Sequence, residues 1–177
     1  MEELSAFNPV QLGIVNEAVA MAEERVIDFY KMSDSKWVHL RYDVKTLSDL
    51  ETHEIVDGPF AQVIRYEGKL RGCQLGSSAY DFYQICLQDH SILSALDQFP
   101  DLEIFPFALY IVTHELIHIV RFSKFLQSFD ASDTEKMAEE IRVHEHTHEI
   151  LRSVRVSGLG NVFEFYKKWR MPFDKLS

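Results

Sequence analysis

At 177 residues the chain is long enough for one domain with a proper core and too short for two domains to be the expectation. Apolar residues make up 46% and aromatics 12%, which excludes a disordered chain. The net charge of −10 is spread along the sequence, and without a basic footprint neither nucleic acid nor an anionic membrane is expected as a partner; a neutral or basic peptide is permitted.

The N-terminus, Met1-Glu2-Glu3-Leu4-Ser5, lacks the positive region and apolar core of a signal peptide. The best apolar run, Ile104 to Val120, is interrupted by Pro106, His114, Glu115 and His118, so no membrane span is expected. Cytoplasm is the expected compartment. There Cys73 and Cys86 are expected to be reduced, with Cys86 a small core residue.

Asn8-Pro9 predicts a helix start, a capping side chain followed by proline at the first helical position. Leu12, Val15, Val19, Ala22, Val26 and Phe29 then recur three and four apart, an amphipathic helix to about Met32 ended by Ser33-Asp34-Ser35. Val38, Leu40, Tyr42 and Val44 alternate with polar residues and predict a half-buried strand, with His39 on its exposed side. Residues 48–57 read as a connection closed by Asp57-Gly58-Pro59. Phe60 to Tyr66 and Tyr80 to Gln88 are two further predicted strands, so the middle third is expected to be a small antiparallel sheet.

Asp89 to Leu96 predicts a short helical turn. A helix follows from about Phe105-Pro106 to Gln127, apolar on nearly every side and therefore buried. Ser132-Asp133-Thr134-Glu135 is a capping box that opens another helix, running to about Val156. Ser157-Gly158-Leu159-Gly160-Asn161 breaks it, and the aromatic segment Phe163 to Trp169 is expected to pack back on the core. The predicted fold is α+β: an N-terminal helix, a small antiparallel sheet, then an antiparallel pair of long helices.

The buried helix carries Thr113-His114-Glu115-Leu116-Ile117-His118. On a helix, histidines four apart fall about 40° from each other and can grip one metal ion, and the glutamate can hold the water that the metal activates. Two protein ligands seldom suffice, so the following helix is the place to look for a third. If the two helices turn near residue 130, position 116 lies level with 144, 118 with 142 and 114 with 146. On the wheel Met137, Glu140, His144, Thr147, His148, Leu151 and Val154 share a face, while Arg142, His146 and Glu149 point away. His144 is then best placed, Glu140 and His148 are the reserves one turn either side, and His146 is expected to be solvated. The segment His144-Glu145-His146-Thr147-His148 repeats the motif, and Glu115-x-x-His118 with Glu145-x-x-His148 matches the ligand pattern of dinuclear iron or manganese carboxylate bundles. A non-catalytic domain that binds metal for stability or sensing is a third reading.

The order of helix, small sheet, His-Glu-x-x-His helix and second ligand-bearing helix resembles the zincin metallopeptidases, in particular compact gluzincins. His114, Glu115 and His118 match by motif. Arg121 and Lys124 stand where the metzincin extension has glycine and histidine. The resemblance implies zinc as cofactor, Glu115 as general base, a peptide or protein substrate, and a third ligand on the next helix, Glu139 or Glu140. It also implies a transition-state stabiliser, for which Arg152, His148 and Tyr166 are candidates.

Overall fold

A computed structural model describes residues 3–69, 79–124 and 131–170. The fold is α+β, with six α-helices among the described residues and one three-stranded sheet. Helix α1 spans Pro9–Tyr30 and opens with a reciprocal cap: the Asn8 side chain accepts from the Gln11 N–H at 2.8 Å, and the Gln11 side chain accepts from the Asn8 N–H at 2.9 Å. It ends at Lys31, whose φ of 51° is a left-handed helix stop.

Residues 34–39, expected to end the first helix at Ser33-Asp34-Ser35 and to begin a strand at Val38, instead form a short helix α2 (Asp34–His39), and β1 is confined to Tyr42–Lys45. The Ser33 hydroxyl accepts from the Lys36 N–H at 3.3 Å, so this serine opens a new helix after α1 has stopped. The alternation of Val38 and Leu40 is incidental to that turn. The side chain of His39, the glycines at 72 and 76, and Cys73 fall outside what the structure describes.

The sheet is mixed. Strand β2 (Ala61–Lys69) pairs antiparallel with β3 (Ala79–Leu87), and β1 pairs parallel with β3, giving the order β1-β3-β2. The antiparallel expectation holds for β2 and β3 and fails for β1. Strand direction alternates along the chain, and β3 takes the centre, so β1 on its other edge must run parallel to it. The reason β3 is central lies in its sequence: Tyr83, Gln84, Ile85, Cys86 and Leu87 are all buried, so both of its faces are covered. Tyr83, Ile85 and Leu87 belong to the main core. Gln84 and Cys86 face the connection after β1, whose two short 3₁₀ turns, Leu47–Asp49 and Thr52–Glu54, close over them.

Helix α3 (Asp89–Gln98) leads to α4 (Ile104–Ser123), the axis of the fold. Every residue from Pro106 to Arg121 in α4 is buried. Contrary to expectation, α4 is by length and composition long and apolar enough to cross a membrane; 89% of its most apolar window is buried inside the protein. α1 packs along it, the sheet lies against another side through Phe60–Phe107 (ring centroids 5.0 Å) and Tyr83–Phe122 (6.2 Å), and the remaining sides are closed by α5 (Asp133–Leu151) and α6 (Leu159–Phe165). Burying such a helix is worth roughly 1.5–3 kcal/mol for each large apolar side chain fully covered, before the entropy of ordering is set against it.

The turn into α6 depends on Gly158, whose φ is +85° and whose ideal Cβ would lie 3.1 Å from the Glu103 Cδ and 3.2 Å from the Pro106 Cγ. Both the backbone conformation and the close approach to the start of α4 favour glycine. Gly158→Ala is expected to destabilise the fold by about 1 kcal/mol or more. Chemical denaturation of the two proteins checks this, and an unchanged midpoint would show that the turn relaxes without cost.

Candidate metal centre

The antiparallel pairing of α4 and α5 is legible in its cross-contacts, which run Tyr110–His144, His118–Glu140 and Arg121–Glu139. The pair is shifted by about one turn from the expected level. His144 lies opposite Tyr110, and Glu140 takes the place opposite the two motif histidines. The physical reason is the length of the turn: α4 stops at Ser123, its Lys124 cap closing the helix, so the chain between the helices is longer than a hairpin turning near residue 130 with α4 continuing to Gln127.

Histidines 114 and 118 share one face of α4 through their four-residue spacing, with ring centroids 4.8 Å apart. The Glu140 carboxylate sits between them, one oxygen 3.1 Å from His114 Nε2 and the other 2.8 Å from His118 Nε2. One ligand atom from each of the three residues lies within 4.8 Å of the others, and this is the donor set found among the described residues. Donors on a tetrahedral ion with bonds of about 2.0 Å stand roughly 3.3 Å apart, so a set within 4.8 Å needs only side-chain adjustment to close on a small divalent cation.

The electrostatics are strong because the histidines are shut away from water. Burial pulls the His114 imidazolium down, but the Glu115 and Glu140 carboxylates outweigh it and raise its pKa to about 10. Burial pushes Glu140 up, and the hydrogen bonds and charges of His114 and His118 hold it well below the usual carboxylate range. His114 therefore faces a carboxylate at each nitrogen, Glu115 Oε1 at 3.0 Å from Nδ1 and Glu140 at Nε2. A cation at Nε2 would replace a proton there, while Glu115 continues to hold the Nδ1–H and so aims the Nε2 lone pair at the site.

The other candidates are placed as follows. His144 Nε2 is 3.7 Å from the Glu140 carboxylate and its ring centroid 4.4 Å from that of His114, adjacent to the donor set but not a member of it. His148 is one turn further on, its ring 4.5 Å from Phe163. Glu145 is exposed, and neither it nor His148 belongs to the donor set, so the paired Glu-x-x-His residues are not brought together. Glu139 turns from the histidines to pair with the buried Arg121, and with Arg142 at 3.2 Å. His146 is half-buried rather than solvated: the Tyr30 hydroxyl lies 3.2 Å from its Nδ1 and Phe29 packs on its ring, because α1 covers this side of α5, and burial lowers its pKa. Arg152 is exposed.

The donor set opens onto a cleft of about 930 Å³ between α4, α5 and the outer edge of the sheet, within the usual range of ligand pockets. Phe60 just before β2, Val63 of β2, and Ile111 and Phe122 of α4 give it apolar walls, and Glu115, His144 and Tyr166 reach its lining beside the donor set. Tyr166 is stacked on Tyr110 with ring centroids 4.1 Å apart, and burial, with Tyr110, Glu115 and Glu140 nearby, raises its pKa well above the ordinary phenol value. Sequence reasoning passed over Tyr110 and the Arg121–Glu139 pair. A signal for the first was present: Tyr110, His114 and His118 form one row of i, i+4 neighbours on α4.

The charges fix a pH dependence for the metal-free protein. The raised His114 contributes stability that is complete below its ordinary value of 6.5 and is lost as pH rises through about 10. The lowered Glu140 contributes stability above its ordinary value of 4.5 that is lost as pH falls through its folded value. Metal-free protein is expected to show its highest melting temperature between these ordinary values, with an alkaline decline that Glu140→Gln reduces; a decline unaltered in the variant would assign it to other groups. No protein-family model matches the chain, and no curated protein or solved structure matches it.

Proposed function

We propose that the chain is a metal-dependent hydrolase, with zinc as the cation and a peptide or protein as the substrate. The observation that carries this reading is the convergence of His114 Nε2, His118 Nε2 and the Glu140 carboxylate at the floor of an open cleft, with Glu115 in the same lining. Two imidazoles and a carboxylate are a donor set suited to zinc, and three protein donors leave a coordination position for water or substrate. The resemblance to zincins points the same way, with Glu140 as the third ligand on the following helix.

A cation held by these residues supplies Lewis acidity, lowering the pKa of a water and polarising a carbonyl oxygen. The protein supplies the rest. Glu115 Oε1 is occupied by the His114 Nδ1–H, and the Glu115 carboxylate makes no further hydrogen bond among the described residues. Its other oxygen is therefore available to take a proton from the attacking water. As the C–N bond breaks and the new C–O bond forms, Glu115 returns that proton to the leaving nitrogen. The apolar walls of the cleft limit the water around the reacting centre, which strengthens each of these interactions. A dinuclear reading needs Glu145 as a ligand and finds it exposed on α5.

The protein purified without added metal is expected to hold about one zinc per chain, measured by elemental analysis. Glu140→Ala should lose most of the bound zinc, and Glu145→Ala should keep it. Glu115→Gln should retain zinc and lose hydrolysis of a mixed quenched-fluorescent peptide library by at least about a hundredfold, the scale of a general base. Two metals per chain, or turnover unaffected in Glu115→Gln, would defeat the proposal.

A further inference from the structure

His144 is the histidine nearest the donor set that does not belong to it, and its environment says why. Its Nδ1 lies 2.8 Å from the hydroxyl of Tyr110, whose side chain is fully buried and clamped by the parallel ring of Tyr166. A phenol lends its oxygen lone pairs to the ring, so it donates a hydrogen bond better than it accepts one. With Nε2 turned toward the Glu140 carboxylate, the arrangement that suits both contacts has the Tyr110 O–H donating to the Nδ1 lone pair. A neutral imidazole that accepts at one nitrogen carries its proton on the other. That places an N–H, and no lone pair, on Nε2, the atom that faces the Glu140 carboxylate at 3.7 Å. To ligate a cation there, the ring would have to move its proton to Nδ1 and reverse the Tyr110 hydrogen bond; as it stands, the atom can donate to an oxygen.

We propose that His144, held in its Nε2–H form by Tyr110, is a hydrogen-bond donor to whatever oxygen-bearing group occupies the open position of the metal site, and that Tyr110 is the positioning residue that keeps the site at three protein ligands. The inference rests on the metal reading above and adds the chemistry of the bound group: an oxygen that carries or develops negative charge. His144 is 5% exposed and lines the cleft at the ligands, so its donor works where water competes little. Its ring is held by tilted contacts with His114 at 4.4 Å and Tyr166 at 5.3 Å, which fixes the direction of the N–H before a ligand arrives.

The test uses the full chain and two probes, zinc affinity by competition with a chromogenic chelator and acetohydroxamate affinity by the visible spectrum of the cobalt-loaded protein. Far-ultraviolet circular dichroism checks that each variant is folded. His144→Ala is expected to leave zinc affinity within about threefold of wild type and to weaken acetohydroxamate by about tenfold or more, the worth of a charge-assisted hydrogen bond. His144→Gln, which restores an N–H, should recover part of that loss. Tyr110→Phe should weaken acetohydroxamate without weakening zinc. A fall of tenfold or more in zinc affinity in His144→Ala overturns the inference, since His144 then joins or supports the ligands. Unaltered acetohydroxamate affinity in His144→Ala overturns it too. Wild-type protein that takes up neither zinc nor cobalt overturns the metal reading itself, a failure visible before any variant of His144 is made.

Discussion

The burial of α4 on all sides is the constraint from which the rest follows. A helix enclosed this completely carries polar groups at a cost unless a neighbouring element answers them, since an unpaired buried charge or hydrogen-bonding group costs several kcal/mol. The Thr113 hydroxyl is buried without a partner among the described residues, while the ionisable groups are answered. The neighbour that answers most of them is α5: Glu139 takes Arg121, Glu140 takes His114 and His118, and His144 takes Tyr110. The polar seam between the two helices is thus continuous over three turns of α4. The candidate metal centre is its middle section, where the partner is a carboxylate able to share its charge with two imidazoles.

This seam explains the polarity of α5, a helix with few apolar residues that still packs against the core. Its attachment draws on charge pairing at Glu139 and Glu140 as well as on the apolar contacts of Val143, Ile150 and Leu151. Removal of one member of such a pair costs more than the pair contributes, since the other member is left buried and uncompensated. The lining of the cleft and the stability of the helix pair are consequently the same set of residues.

Much of this was legible in the chain. The cap at Asn8-Pro9 and the apolar run around the motif name their helices, because each rests on local chemistry. But α5 ends at Leu151 rather than near Val156, and Leu159-Gly160-Asn161, expected to break it, open α6. The motif spacing brings His114 and His118 to one face, and the wheel of α5 puts Glu140 and His144 inward, as found. Relative height escaped the reading: a helix wheel fixes direction but not register, and where α4 stops decided between Glu140 and His144 as partner of the two histidines. Strand direction escaped for a similar reason, since the alternation in β1 says which face is buried and nothing about its neighbour. Residues 34–39 were misread because Ser33 can end one helix and cap the next.

The covered far face of the sheet has its own consequence. Glu54 is buried, and its carboxylate accepts from the Tyr66 hydroxyl at 2.7 Å, the Glu51 N–H at 2.8 Å and the Gln84 side chain. With the Gln88 amide donating to its carbonyl at 3.0 Å, the loop after β1 is tied to both other strands before α4 begins in the sequence. The sheet's far face is thus closed by a segment that precedes α4 in the chain, whereas α1 packs chiefly on α4 and completes its contacts only when that helix is present. His114 and His118 come with α4, and Glu140 follows only with α5, so the three residues of the donor set meet only after the elements that position them have been made.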